Sequence, residues 1–297
     1  MKGGSEATGA ARLAAPVAAA LLMLGMALCY ATTANIARLM TEELNAMMIA
    51  LLRNLFGLIP LLPLLLRGGL ATMRTTRPVL HMVRSALNLV FMLAWFWALP
   101  HIVLADGVAL MFTGPLFGAL GAVLFLGERL GPRRAGALAI GFAGALLIIR
   151  PSFDQAGLAL LAVLAAAAGW AAMGLCNKVL TRTDETDQIV VLNVLMVLPF
   201  SFAVALLDWQ WPSPAMWAMG AMLGALGTLA HICMAHAFRY ADVSFCMPFD
   251  FMRLPIAAAI AYPLFGQLPD LWTIVGAAVI FSATVYVTLR ERTESPA

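Results

Sequence analysis

Charge is scarce in this chain. Acidic and basic residues make up 11% of its 297 residues, against about 25% in soluble domains, which excludes an ordinary water-soluble globular domain. Long hydrophilic stretches are missing as well, so there is no room for a nucleotide-hydrolysing domain. None of the glycine clusters has the soluble strand-to-helix setting of a phosphate loop. Cysteine is rare: Cys29, Cys176, Cys233 and Cys246 fall in or beside apolar runs without CxxC spacing, so neither a disulfide framework nor a zinc site is expected, and they read as small buried hydrophobes. The four histidines are His81, His101, His231 and His236. His231 and His236 are five apart, the wrong spacing for two ligands on one helix face, and there is no HExxH. No metal, cofactor or nucleic-acid partner is expected.

What the chain has is apolar length. It is 63% hydrophobic with a mean hydropathy of +0.92, and a spanning helix needs about 20 mostly apolar residues. Ten segments qualify: about 14–34, 44–66, 79–99, 103–126, 135–149, 157–177, 188–207, 215–237, 243–265 and 271–289. They are apolar all round, as in "AGALAIGFAGALLII", without the alternation of a membrane β-barrel. The expected fold is therefore an all-α integral membrane protein with ten transmembrane helices, partnered by the lipid bilayer. The first segment follows a basic residue, Arg12, as a signal peptide would, but the repeat described next predicts that it is retained.

Orientation follows the lysines and arginines. With the N-terminus inside, one side collects Lys2, Arg12, Arg67, Arg74, Arg77, Arg129, Arg133, Arg134, Lys178, Arg182, Arg239, Arg290 and Arg292, and the other only Arg38 and Arg150. Both termini are expected to be cytoplasmic. Arg53, Arg84 and Arg253 remain inside spans.

An offset of 140 residues aligns the chain with itself: Tyr30 with Trp170, Arg38 with Lys178, Thr41 with Thr181, Pro115 with Pro255, Gly136 with Gly276 and Arg150 with Arg290. This predicts a tail over 1–13, a first five-helix repeat over 14–150, a second over 157–290 and a tail over 291–297. An odd number of spans per repeat starts the second copy on the opposite face, so the repeats must be inverted. Such inversion is a hallmark of secondary transporters, with the site near the midplane and exposed alternately to each side.

The segment "GPLFGALGAVLFLGERL" closing the fourth span and its weaker echo "RLPIAAAIAYPLFGQLP" closing the ninth resemble the drug/metabolite transporter superfamily, in its EamA-type ten-helix branch. The resemblance runs from about residue 15 to 290. Its marks are Pro115, Gly127 and Glu128, and the second copy departs from the pattern with Gln267 in place of the usual Glu. These positions are expected to fix helix ends rather than to touch substrate. The resemblance implies a bacterial inner-membrane carrier exporting amino acids and other small metabolites. The fold by itself does not settle the substrate.

Polar residues inside the spans are the candidate substrate contacts. On the third span His81, Arg84, Ser85, Asn88, Met92 and Trp95 form one stripe at helical spacing. It would line a cavity or pack against other helices, with Arg84 able to snorkel. Trp170, Gly174 and Asn177 form a similar stripe on the sixth span, and Tyr30 is the counterpart of Trp170; the pair would wall a cavity or anchor at the interfaces. His231 continues the small face of Gly220, Gly224 and Gly227 on the eighth span, as a structural histidine or a ligand contact. The stretch "PFDFMRLP" holds Asp250 and Arg253, three apart and bracketed by Pro248 and Pro255. A charge at the bilayer centre costs about 2.5–3.5 kcal/mol, so something must compensate. The readings are a structural ion pair, recognition of a zwitterion, and a protonation site at Asp250 with protons as the candidate coupling ion. Their counterparts are Leu110 and Thr113, so the charges belong to one half.

The expected function is secondary transport of small polar metabolites, amino acids first, outward by alternating access. Carriage of a nucleoside, a vitamin, S-adenosylmethionine or a drug cation is the alternative within transport. An integral-membrane enzyme would need a catalytic constellation, and none is legible. A channel would need a selectivity filter, and nothing resembles one.

Overall fold

The structure is a computed structural model and describes residues 4–63, 66, 75–126, 132–149, 155–240, 246 and 249–294. The described residues are helical with no strand. In chain order the α-helices are α1 (Gly4–Met40), α2 (Ala46–Phe56), α3 (Pro78–Ala98), α4 (Leu104–Met111), α5 (Gly114–Leu126), α6 (Pro132–Ile149), α7 (Gln155–Leu180), α8 (Thr186–Ala205), α9 (Pro214–Tyr240), α10 (Arg253–Phe265) and α11 (Leu271–Glu294). Six helical segments among the described residues are long and apolar enough to cross a membrane, and four shorter apolar helices accompany them.

Local chemistry sets the helix ends. Pro78, Pro132 and Pro214 open their helices, where the missing N–H costs nothing. The Asn45 side chain accepts from the N–H of Met48 at the start of α2, and Gly266, at φ 65°, ends α10 with its N–H on the Tyr262 carbonyl, a left-handed cap that favours glycine. The side-chain Oε1 of Gln267 accepts from the first N–H of α4, at 3.4 Å, so this residue acts on a helix end.

Several boundaries differ from the sequence reading. Helix α1 begins at Gly4 rather than near residue 14. The second segment is α-helical over Ala46–Phe56 alone, followed by a 3-10 turn at Ile59–Leu61, because Pro60 and Pro63 cannot donate to a continuing helix. The fourth segment breaks at Phe112–Thr113 into α4 and α5. The ninth also breaks: Phe251–Met252 form a turn before α10 starts at Arg253. Pro248, Gly127, Glu128 and Arg150 lie outside the described residues.

Packing pairs the helices in a pattern that maps onto itself when each span is moved five places along the chain. Helix α1 packs on α9 and α3 on α7; α2 on α9 and α3 on α8; α1 on α10 and α7 on α4 and α5. Three contacts are their own counterparts: α2 with α8, α4 with α10, and α6 with α11. Close crossings use glycine. A Cβ on Gly224 of α9 would lie 2.6 Å from the Gly57 nitrogen beyond α2, and one on Gly276 of α11 would lie 2.7 Å from the Gly144 carbonyl oxygen of α6. Removing the side chain lets the backbones touch, which drives helix association in lipid.

The turn after α1 recurs after α7. Leu44 N–H donates to Met40 O at 2.9 Å and Asp184 N–H to Leu180 O at 2.9 Å; Thr41 Oγ1 donates to Arg38 O at 2.6 Å and Thr181 Oγ1 to Lys178 O at 3.1 Å. These residues are 140 apart, as the sequence match requires. The two turns hold different partners. Beside the first, Asn45 donates its N–H to Gln210 Oε1 at 2.7 Å and its Nδ2 to Asp208 Oδ2 at 2.9 Å, tying the α1–α2 turn to the α8–α9 linker. On the second, Asp184 Oδ2 accepts from Thr75 Oγ1 at 2.7 Å and meets His81 Nε2 at 2.7 Å, tying the α7–α8 turn to the start of α3.

Candidate functional site

The helices enclose a central cavity of about 220 Å³ among α1, α2, α3, α4, α7, α9 and the start of α10. One wall is aromatic. The rings of Trp170 and His231 lie nearly parallel, with centroids 5.9 Å apart at 21°. Tyr30 stands edge-on to His231 at 5.7 Å, its hydroxyl 3.1 Å from ring Nδ1. Phe91 covers the other side of Trp170 at 5.5 Å. Opposite, Phe112 and Phe251 pack at 4.2 Å. Methionines 23, 26, 92, 111 and 234 fill the remainder; their flexible, polarizable side chains adapt to irregular shapes.

Polar groups occupy two places on this apolar surface. At the break before α10, Arg253 Nη2 donates to Asp250 Oδ2 at 3.1 Å, the side chains 19% and 24% exposed. The same guanidinium lies over the rings of Tyr30 at 5.3 Å and Phe112 at 5.1 Å, each cation–π contact contributing about 0.5–2 kcal/mol. That is the compensation the two charges need inside an apolar segment. On α2, Arg53 also lines the cavity, and its Nη1 donates to the Asn54 side chain at 3.3 Å.

Of the residues singled out from the sequence, the structure brings Tyr30, Trp95, Trp170, His231, Asp250 and Arg253 to the cavity wall. Asn88, Asn177, His81 and Arg84 are not brought there. Asn88 is buried on the same α3 face as His81 and Arg84. His81 is fully buried against Asp184, and Arg84 Nη1 donates to the Ile189 carbonyl of α8 at 2.8 Å, so the inner part of the α3 stripe packs on the neighbouring turn and helix. Asn177 sits a further two turns along α7 from Trp170. Sequence reasoning placed Arg53 within a span but assigned it no role, although a lone charge in an apolar helix is itself the signal. The methionines and phenylalanines carried no signal that separates a cavity wall from a core.

The comparisons agree with this architecture. The model of the EamA-like transporter family matches residues 17–150 and again 157–289. A riboflavin transporter of Vibrio cholerae is 33% identical over 94% of this chain and 96% of its own length, and one of Rhizobium johnstonii is 36% identical over 77% and 76%. An S-adenosylmethionine uptake transporter of Rickettsia felis is 28% identical over 84% and 85%. A crystal structure of a protein 20% identical to this one superposes with a TM-score of 0.63 over 93% of this chain and 99% of the other, which shows the shared fold. Apolar helices, a central cavity at their crossing and a family match over both parts of the sequence lead to one conclusion: the chain belongs to the EamA-like transporter family, within the drug/metabolite transporter superfamily, and is a multi-pass protein of the bacterial inner membrane.

Proposed function

We propose that this protein is a secondary carrier for riboflavin or a closely similar planar heteroaromatic metabolite, working inward by alternating access. The observation that carries the substrate is the cavity wall, where Trp170, His231, Tyr30 and Phe91 present ring faces and edges. Stacking on aromatic side chains contributes about 0.5–1.5 kcal/mol per pair beyond area burial, and a flat ring system uses several such contacts at once. Relatives named for riboflavin, at 33–36% identity, support the same reading.

The architecture proposed is ten spans in two inverted five-helix halves, over 14–150 and 157–290, with both termini cytoplasmic. The self-matching helix contacts and the repeated turn after α1 and α7 support it. In this orientation the Asn45–Asp208 tie lies at the outer face and the His81–Asp184 tie at the inner face. Alternating access then consists of opening one tie while the other holds. Amino-acid export, the first expectation from the sequence, would engage a zwitterion at Asp250 and Arg253. That pair is already closed on itself at 3.1 Å, so the aromatic wall is the better guide.

The test is counterflow in liposomes: purified protein, unlabelled riboflavin inside, a labelled trace outside, with S-adenosylmethionine and a neutral amino acid in parallel. Saturable exchange of riboflavin is expected. Exchange of the amino acid in its place would overturn the substrate.

A further inference from the structure

Two arginines face the cavity, and the structure commits them differently. Arg253 is held by the Asp250 carboxylate and by the rings of Tyr30 and Phe112. Arg53 has no carboxylate within ion-pair distance among the described residues, and its hydrogen bond there is to the side chain of its own neighbour, Asn54. Its guanidinium rests against Gly227 of α9: a Cβ at that glycine would lie 3.3 Å from Nη2 and 3.6 Å from both Cζ and Nε. The glycine thus leaves space for a flat cation between α2 and α9, at the edge of the aromatic wall that His231 forms one turn further along α9. The position 140 residues on is Asn193, so this cation belongs to one half, as do Asp250 and Arg253.

We infer that Arg53 selects the ligand by charge. A cation buried without a counter-ion is costly, and a ligand that brings an acceptor to it removes that cost on binding. The guanidinium is a rigid planar fork that suits two adjacent acceptor atoms in one plane. The group it takes is therefore a planar, acceptor-rich edge, such as the carbonyls and ring nitrogen of an isoalloxazine or a carboxylate, held in line with rings stacked on Trp170 and His231. Two arginines against one aspartate also leave the cavity positive, which disfavours sulfonium and quaternary ammonium ligands. This inference rests on the carrier reading and refines its substrate class.

The experiment is binding to the purified full-length protein, read by tryptophan fluorescence quenching, with riboflavin and S-adenosylmethionine as probes. For wild type, riboflavin binding and weak or absent S-adenosylmethionine binding are expected. Arg53→Gln should weaken riboflavin at least tenfold, while Arg53→Lys, which keeps the charge but not the fork, should retain part of the affinity. Gly227→Ala, which leaves the charge and shifts the guanidinium, should weaken riboflavin in the same direction. Thermal unfolding of each variant separates lost binding from lost folding. Riboflavin affinity within twofold of wild type in a folded Arg53→Gln would overturn the inference. If wild type binds S-adenosylmethionine in preference to riboflavin, the riboflavin proposal falls while Arg53 is judged separately: a several-fold gain of that cation in Arg53→Gln upholds charge selection, and no change overturns it.

Discussion

Phe91 and His231 stand 140 residues apart, and each presents its ring to the counterpart of the other's partner: Phe91 to Trp170 at 5.5 Å, His231 to Tyr30 at 5.7 Å. The cavity wall is thus built from one aromatic contact used twice, between α3 and α7 and between α1 and α9, and joined where Trp170 stacks on His231. This relationship supports the proposed duplication at the level of side chains.

Trp170 touches both sides of that junction. Trp170→Ala should weaken riboflavin binding about tenfold or more, since a lost stack and its buried area exceed the roughly 1.4 kcal/mol that a factor of ten represents. Trp170→Phe should recover part of the loss. Equal affinity of the alanine variant and wild type in a binding titration would remove this residue from the site.

The inner tie should respond to acid. Burial alone would push the Asp184 carboxyl up, but hydrogen bonds from Thr75, His81 and Thr183 outweigh it and hold the group below the usual carboxylate range. A depressed folded-state value means that stability is present above the unfolded value and lost as pH falls through the folded one. Asp184→Asn should therefore lower the melting temperature at neutral pH and flatten its decline on acidification. A variant profile parallel to that of wild type would show that the carboxylate contributes nothing there.

The outer tie should weaken with Asn45→Ala. The substitution removes the cap on Met48 and the bond to Asp208, and loss of an asparagine cap alone costs about 1 kcal/mol. Cysteine labelling of cavity positions from the two sides should then show more outward access for Asn45→Ala and more inward access for His81→Ala. The same shift in both variants would sink the two-tie scheme.

Glycines of two kinds can be told apart by one substitution. Gly224→Ala presses a methyl group onto the backbone of Gly57, Arg53 and Phe56 and should destabilise by about 1–3 kcal/mol. At Gly118 nothing lies within 4 Å of the point a Cβ would occupy, so alanine there should be neutral or stabilising by up to about 1 kcal/mol. Denaturant unfolding in detergent compares the two, and equal effects would contradict the packing.

The pair at the α10 break is open to a double-mutant cycle. Asp250→Asn leaves Arg253 with its aromatic neighbours but no carboxylate, and should lower the melting temperature. Adding Arg253→Gln should restore part of it, because removing one partner of a charge pair costs more than removing both. If the double variant is no more stable than the single one, the structural pairing fails. Proton dependence of net uptake that vanishes in Asp250→Asn while counterflow persists would assign the residue to coupling instead.

Apolar length, the 140-residue match and the lone charges within spans were legible in the sequence because each is a property of the chain read in order. Helix formation in lipid follows from apolar composition, since backbone groups have no other partners there; hence the broad run of helices was foreseeable. Breaks at Phe112 and Phe251 and the end of α2 at Phe56 were less so, because a proline marks where a helix can end without fixing where it does. Tyr30, Trp170 and His231 stood out as polar or aromatic residues at helical spacing. The same spacing also pointed to His81, Arg84, Asn88 and Asn177, which lie elsewhere.

What divides these groups is which helices cross, and that depends on surfaces far apart in the chain. His81 faces Asp184, more than 100 residues away, because α3 packs on α7 and α8; no local pattern distinguishes it from a cavity-lining histidine. Arg53 reaches the cavity because Gly227 leaves room beside it, a fact shared between two helices and owned by neither. The sequence by itself determined a membrane-spanning helical chain, written twice, with a few charges that needed partners. The tertiary structure decided which charges found them: Asp250 and Arg253 pair across the break, while Arg53 faces the cavity without a carboxylate.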